Sequence, residues 1–183
     1  MDEVPITPPS GEKPKYPGQE RLSALTYLVV DDDDEMRVLL KDYLRIYGIS
    51  NVLEADCSGA ALRLFGTHEI DVLLTNFNMP DMYGDSLVWC LRRGPNERLR
   101  RIPAIMVSAF ADRDHIDRAR DAGVNEFVPK PCTATDLHVH IRKAVFEPKP
   151  FVEASDYIGP DRRGKNKDRG PPSGRERRGI RID

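Results

Sequence analysis

Residues of the types needed for phosphoryl or metal chemistry follow several short apolar runs of this sequence. Carboxylate and amide oxygens are ligands that a hard divalent cation such as Mg2+ accepts, a hydroxyl can donate to a phosphoryl oxygen, and an ammonium group can neutralise one. If the ends of these runs meet, they form a site for a divalent cation and a phosphoryl group. The residues are Asp31, Asp32, Asn76, Ser108 and Lys130.

Taken singly, each of these residues also has an ordinary structural explanation. The run from Asp31 to Asp34 suits a helix start, because aspartate is a good N-cap and is favourable at the positive end of a helix. Ser108 alone would be a surface hydroxyl, and Lys130 a solvated residue between two prolines that shape a turn. The site interpretation therefore requires a fold that brings these residues together.

The alternation of short apolar runs with longer amphipathic segments predicts such a fold. The pattern is typical of βαβ units and of a parallel sheet buried on both faces. In an open α/β sheet the functional crevice lies beyond the carboxyl ends of the strands, where the polar residues fall. The predicted strands are residues 25–30, 51–55, 71–75, 104–108 and 126–128.

Amphipathic helices are predicted between these strands. In the clearest of them, apolar residues recur at steps of three and four from Met36 to Tyr47, and Gly48 supplies the C-terminal stop. The predicted helices are residues 34–47, 58–65, 84–93, 113–122 and 134–146.

Length and composition favour one domain with additional segments at both ends. The chain has 183 residues, of which 39% are hydrophobic and 32% charged, and a formal net charge of -2. No apolar run approaches the roughly 20 residues that span a bilayer, so we expect no membrane span and a cytoplasmic location. The cysteines are predicted to be reduced packing residues, because they lack CxxC pairs and a zinc-binding pattern. They are Cys57, Cys90 and Cys132.

Both ends of the chain are predicted to be flexible around a domain at residues 22–147. Residues 1–21 are a Pro-rich leader, and residues 148–183 are a tail rich in Gly, Pro and Arg. From Gly159 onward, nine Lys or Arg residues stand against four Asp or Glu residues. The tail could be a solvated end, a docking peptide, or a weak electrostatic contact with nucleic acid or anionic lipid. No helix-turn-helix pattern accompanies it, so no dedicated DNA-binding domain is predicted.

Four sequence blocks resemble the motif blocks of response regulator receiver domains. They are LVVDDDDEMR, LLTNFNMPDMYG, IMVSAF and FVPKP, they occur in the same order as in the family, and each lies at a predicted strand end. The resemblance covers residues 22 to 146 and implies a flavodoxin-like (βα)5 fold, a doubly wound parallel sheet with strand order 2-1-3-4-5. A Tyr-x-Gly-Pro-Asp-Arg-Arg element in the tail is similar to tails of related single-domain regulators.

The resemblance assigns expected roles to individual positions. Asp31 and Asp32 match the acidic pair of the family, and the backbone carbonyl of Asn78 matches its remaining protein ligand to magnesium. Lys130 matches the conserved lysine, and the bond from Lys130 to Pro131 is expected to be cis. Two further positions match the switch hydroxyl and the switch aromatic of the family, and they are Ser108 and Phe127.

Asn76 is the departure from the family pattern. Receiver domains carry an aspartate at this position, and its carboxylate attacks a phosphohistidine. An amide is a poor nucleophile and cannot give a stable acyl phosphate, so the usual switch is not expected to operate. Magnesium binding at Asp31, Asp32, Asn76 and Asn78 should at most be weak, because a neutral amide oxygen replaces a charged ligand.

The leading hypothesis is a single-domain response regulator, a pseudo-receiver in phosphorelay signalling that binds a protein partner and is not an enzyme. The resemblance implies a partner such as a histidine kinase, a phosphotransfer protein or a downstream effector, on the face formed by residues 113–146. The rival hypothesis is an ordinary phospho-accepting receiver in which Asn76 is an engineered or deamidated form of aspartate. An unrelated flavodoxin-like cofactor binder is disfavoured, because no glycine-rich phosphate loop follows the first strand.

Overall fold

The computed structural model describes residues 18–162 as an open α/β sheet covered by helices, with a small hairpin after the last helix. Five parallel strands lie in the order β2-β1-β3-β4-β5, which confirms the expected flavodoxin-like fold. The strands are β1 (Tyr27–Val30), β2 (Val52–Ala55), β3 (Val72–Thr75), β4 (Ala104–Ser108) and β5 (Glu126–Pro129). The helices are α1 (Gln19–Ser23), α2 (Asp34–Ile46), α3 (Ser58–Thr67), α4 (Gly84–Arg93), α5 (Glu97–Arg100), α6 (Arg113–Ala122) and α7 (Ala134–Phe146). Within residues 18–162, no helix has the length and apolar character needed to cross a membrane.

The register of the sheet brings the strand ends to one edge. Val30 of β1 lies beside Thr75 of β3, so Asp31 and Asn76, which follow them, leave the sheet as neighbours. Ser108 ends β4 beside the end of β5. Every residue of β1, β3 and β4 is buried, as expected for strands covered on both faces.

Buried apolar side chains form one core layer on each face of the sheet. Along β1, Leu28 and Val30 belong to one layer and Tyr27 and Val29 to the other, because side chains alternate along a strand. Helices α3, α4 and α6 pack on the first layer, and α2 and α7 on the second.

The helices begin at local sequence signals, which explains why the five long ones were predicted to within two residues at either end. Asp33 caps α2, because its carboxylate accepts the backbone N–H groups of Glu35 and Met36. Thr133 and Asp136 form a capping box at the start of α7.

The structure describes regular elements within both segments that were predicted to be flexible. Helix α1 begins at Gln19, inside the predicted 1–21 leader, and Leu22, where the predicted domain begins, is buried against the core. The 148–183 tail was expected to be flexible, but it contains an antiparallel hairpin of β6 (Phe151–Glu153) and β7 (Ile158–Pro160). The rest of the two predicted tails, residues 1–17 and 163–183, lies outside the described residues.

Tyr157 anchors this hairpin to the domain. Its side chain is buried, and its hydroxyl donates to the carbonyl oxygen of Pro160 at 2.6 Å. The guanidinium of Arg162 lies 3.9 Å from the centre of the tyrosine ring. The backbone of Gly159 packs closely against that of Gly123, the residue that ends α6 in a left-handed conformation. The hairpin is therefore held to the domain by the close approach of Gly159 to Gly123 and by the ion pair of Arg162 with Asp121 of α6.

Arg92 lies beneath the hairpin and is fully buried. Its guanidinium donates to the carbonyl oxygens of Gly123, Arg100 and Ile102 and to the side-chain oxygen of Asn125, at 2.8 to 3.0 Å. Burial lowers the pKa of Arg92 to about 10, which leaves the group protonated at neutral pH. The side chain thus links α4 to the segments that precede β4 and β5. Sequence reasoning missed this role because arginine is seldom fully buried.

The close approach of Gly159 to Gly123 gives a stability prediction. A Cβ atom at Gly159 would lie 2.7 Å from the Tyr157 hydroxyl and 2.8 Å from the Gly123 Cα. We expect Gly159→Ala to lower the free energy of unfolding by about 1 to 3 kcal/mol, measured by urea denaturation, because the hairpin must shift. Gly66→Ala is the matched control, since a Cβ there meets nothing within 4 Å, and it should be neutral or slightly stabilising. Equal stability of the two variants would contradict the packing described.

Candidate functional site

An ion pair joins the ends of two strands at the polar edge of the sheet. The ammonium group of Lys130, after β5, donates to Oδ2 of Asp31, after β1, at 2.7 Å. Asp31 is 1% exposed and the Lys130 side chain 13% exposed, so the pair is largely removed from water. The other Asp31 oxygen accepts the backbone N–H of Asp33 at 3.2 Å. Of the two acidic residues, Asp31 therefore lies beside Lys130, as expected.

Asn76 directs its amide nitrogen into a cluster of oxygen acceptors. Its Nδ2 lies 2.8 Å from the carbonyl oxygen of Asn78, 3.2 Å from Oδ1 of Asp32 and 3.4 Å from Oδ1 of Asp31. Its Oδ1 accepts the backbone N–H of Phe77 at 2.9 Å. The reverse orientation would set an amide oxygen against these acceptors, so the neighbours determine which way the amide points. The N–H bonds of Asn76 thus hold together the oxygens that sequence reasoning assigned to a cation.

This arrangement does not fit a resident magnesium ion. The oxygens of Asp31, Asp32 and Asn78 are of the right type, but the amide group of Asn76 points its hydrogens at them. The amide oxygen, which would have to be the remaining ligand, is engaged by the Phe77 N–H. Within residues 18–162, no cluster of three or more His, Cys, Asp or Glu residues is arranged to hold a metal ion.

The two expected switch residues lie on neighbouring strands β4 and β5. Ser108 is fully buried, and its hydroxyl oxygen accepts the backbone N–H of Phe110 at 3.1 Å. Phe127 is partly buried against the core and lies in register with Met106. The bond between Lys130 and Pro131 is cis, as expected.

Asp81 has a role that sequence reasoning missed. Its carboxylate accepts the backbone N–H groups of Ser58 and Gly59 at the start of α3, and that of Met82. Desolvation acts to raise the pKa of Asp81, but these backbone hydrogen bonds outweigh it and hold the pKa below the usual value. The loop after β3 is thereby fastened to α3. No local sequence signal identifies partners more than twenty positions away.

Asp85 lies in the first turn of α4 and also joins this helix to α6. It is 7% exposed, and its carboxylate pairs with the guanidinium of Arg118 on α6, with an N to O distance of 2.9 Å. The same guanidinium lies 4.8 Å from the ring centre of Phe77 and 5.1 Å from that of Tyr83. The ring of His115 packs edge-on against Phe77 at 4.8 Å. Phe77, the neighbour of Asn76, is therefore enclosed by residues of α6.

Comparison with known sequences identifies receiver domains as relatives of this chain. The sequence model described as the response regulator receiver domain matches residues 27–142. The chain is 43% identical over 120 residues to the chemotaxis protein CheY of Pseudomonas aeruginosa, an alignment that covers 66% of this chain and 94% of that protein. It is 38% identical over 120 residues to the chemotaxis protein CheY-3 of Vibrio cholerae, covering 66% of this chain and 90% of that one.

Solved structures show the same likeness. A response regulator receiver domain protein from Clostridium thermocellum superposes with a TM-score of 0.59 at 29% identity, covering 67% of this chain and 95% of that one. A putative response regulator from Chloroflexus aurantiacus gives a TM-score of 0.61 at 27% identity, covering 66% and 96%.

The burial of Asp31 gives a prediction for its lysine partner. We expect Lys130→Met to lower the free energy of unfolding by about 3 kcal/mol, because it leaves a buried carboxylate without its cation. Adding Asp31→Asn to that variant should recover part of the loss, which urea denaturation of both variants would measure. Lys41→Met is the control, since its partner Glu54 has a side chain 35% exposed, and it should cost less than about 1 kcal/mol. An equal loss in the two single variants would mean that burial does not strengthen the Asp31 pair.

Proposed function

Since this chain belongs to the response regulator receiver domain family of two-component signalling, we propose that it acts as a protein-binding receiver whose state is independent of phosphorylation at position 76. Receiver domains of this type are signalling modules, and no catalytic activity is proposed for this one. The proposal rests on the family and on the chemistry of one residue.

The observation that carries the proposal is the bonding of Asn76. Its amide nitrogen is a poor nucleophile, and its amide oxygen already accepts the Phe77 N–H. The acidic pair is also satisfied, because Asp31 is paired with Lys130 and Asp32 accepts from Asn76. The pocket thus offers no nucleophile at position 76 to an incoming phosphoryl group, and its side chains already bind one another.

The proposed binding surface is the face of α6, β5 and α7, residues 113–146. Exposed apolar side chains support it, since Ile116 is 38% exposed and Val139 53% exposed. Between the helices, Glu126 of β5 pairs with His140 and Lys143 of α7, each at 3.0 Å. A histidine kinase, a phosphotransfer protein or a downstream effector would be the partner. The ion pair of Arg118 with Asp85 joins α6 to α4 without involving the side chain of Asn76.

The alternative function is that of a phospho-accepting receiver with an aspartate at position 76. This alternative applies to a form of the chain that has aspartate at position 76. It is favoured by the other polar residues at the strand ends, which match the family: Asp31, Asp32, Ser108 and Lys130. In such a form, magnesium would gain a third carboxylate ligand. In the chain with Asn76, magnesium binding should at most be weak, since its ligand set would include only two carboxylates.

The substitution Asn76→Asp tests the proposal directly. We expect the wild-type chain to gain no mass when it is incubated with a small phosphodonor and Mg2+, and the variant to gain one phosphoryl group, measured as intact mass. Magnesium affinity of the variant should rise by about tenfold or more, because a charged oxygen is added to the ligand set. Any partner of the wild type should bind equally with and without phosphodonor.

Asn78→Asp is the matched control for Asn76→Asp. It adds the same charge two positions away, but position 78 contributes its backbone carbonyl to the pocket and its side chain is exposed. It should therefore not take up a phosphoryl group. Phosphorylation of the wild type would overturn the proposal. An inert Asn76→Asp variant would instead mean that the pocket has lost its geometry as well as its nucleophile.

A further inference from the structure

A groove separates α4 from α6. Its volume is about 570 Å³, and most of the surface of its walls is apolar. They include Met82, Trp89, Cys90, Arg118, Asp121 and Ala122. Trp89, the one tryptophan of the chain, is 47% exposed. An exposed apolar groove of this kind is commonly an interaction site.

The described chain ends at the rim of this groove. Arg162, the last described residue, pairs with Asp121 at an N to O distance of 2.6 Å, and Asp121 is part of the groove wall. The docked hairpin fixes this point, since Arg162 also covers the ring of the buried Tyr157. Residues 163–183 therefore continue from a defined position beside the groove.

The charge of that segment is opposite to the charge of the rest of the chain. Residues 163–183 hold eight Lys or Arg and three Asp or Glu, a formal charge of +5. Because the whole chain carries -2, residues 1–162 carry -7. The 21 residues of the segment can reach about 70 Å when extended, at roughly 3.3 Å per residue, so every part of the groove lies within reach.

Trp89 supplies a binding surface suited to an arginine-rich segment. Arg93 lies over the Trp89 ring at 4.3 Å, which shows that this ring accepts a guanidinium. An arginine can stack on a tryptophan from either face, and six of the eight basic residues in the segment are arginines. Within the groove wall, the charge of Arg118 is offset by its pairing with Asp85.

We propose that residues 163–183 occupy the groove between α4 and α6 of the same chain and act as an internal ligand of the receiver domain. The segment then covers one flank of α6, the helix that begins the proposed partner surface. A partner that binds the groove has to displace the segment. This inference does not depend on whether position 76 is phosphorylated.

Cys90 provides the test, because it lines the groove while Cys57 and Cys132 lie at the starts of α3 and α7. The alkylation rate of each cysteine is measured by mass spectrometry for the full chain and for a chain that ends at Arg162, which keeps every described residue. We expect Cys90 to react about fivefold or more faster in the shortened chain, since the segment no longer shields it. Cys57 and Cys132 should react equally in both chains. A peptide of residues 163–183 should restore the protection of Cys90 at low salt and lose this effect at high salt.

A full-length variant makes the test independent of truncation. Neutralising Arg175, Arg177 and Arg178 to Gln should raise the Cys90 rate, whereas neutralising three exposed arginines of the domain should not. The control arginines are Arg45, Arg63 and Arg113. Equal Cys90 rates in all chains would overturn the proposal. Protection that grows with protein concentration would also overturn it, because the occupant would then be the segment of a second copy.

Discussion

The ion pair between Asp31 and Lys130 is the interaction on which the polar edge of the sheet depends. It joins the end of β1 to the end of β5, two strands that are separated in the sheet by β3 and β4. A buried ion pair contributes little net stability, because desolvation of both charges offsets most of their attraction. Loss of either partner is costly, however, and the pair therefore fixes the positions of the residues around it more than it stabilises the domain.

Asn76 changes the chemistry of this edge without changing its layout. The position is still surrounded by Asp31, Asp32 and the carbonyl oxygen of Asn78, but these acceptors now receive N–H groups from a neutral amide. An aspartate there would place a third negative charge in the cluster and would require a cation to offset the repulsion. The amide instead supplies N–H donors to the same oxygens.

The far side of the domain is organised around a second buried cation. Arg92 satisfies three backbone carbonyls and the side chain of Asn125, and the hairpin that follows α7 covers it. Tyr157 and Gly159 belong to the Tyr-x-Gly-Pro-Asp-Arg-Arg element, whose role had no explanation in the sequence. Its buried tyrosine and close glycine contact with Gly123 give it a structural one, and the element makes the beginning of the tail part of the fold.

Sequence by itself determined the features that depend on local pattern. Apolar periodicity and capping residues such as Asp33 and Thr133 act within a few positions, so the strands and long helices were predictable. The strand order, and with it the meeting of Asp31, Asn76 and Lys130, came from the family resemblance. Only the tertiary structure decided the pairing of Asp85 with Arg118, the burial of Arg92 and the docking of the hairpin. Each of these contacts joins residues more than thirty positions apart. Composition does not reveal them, because arginine residues and Gly- and Pro-rich segments usually lie on the protein surface.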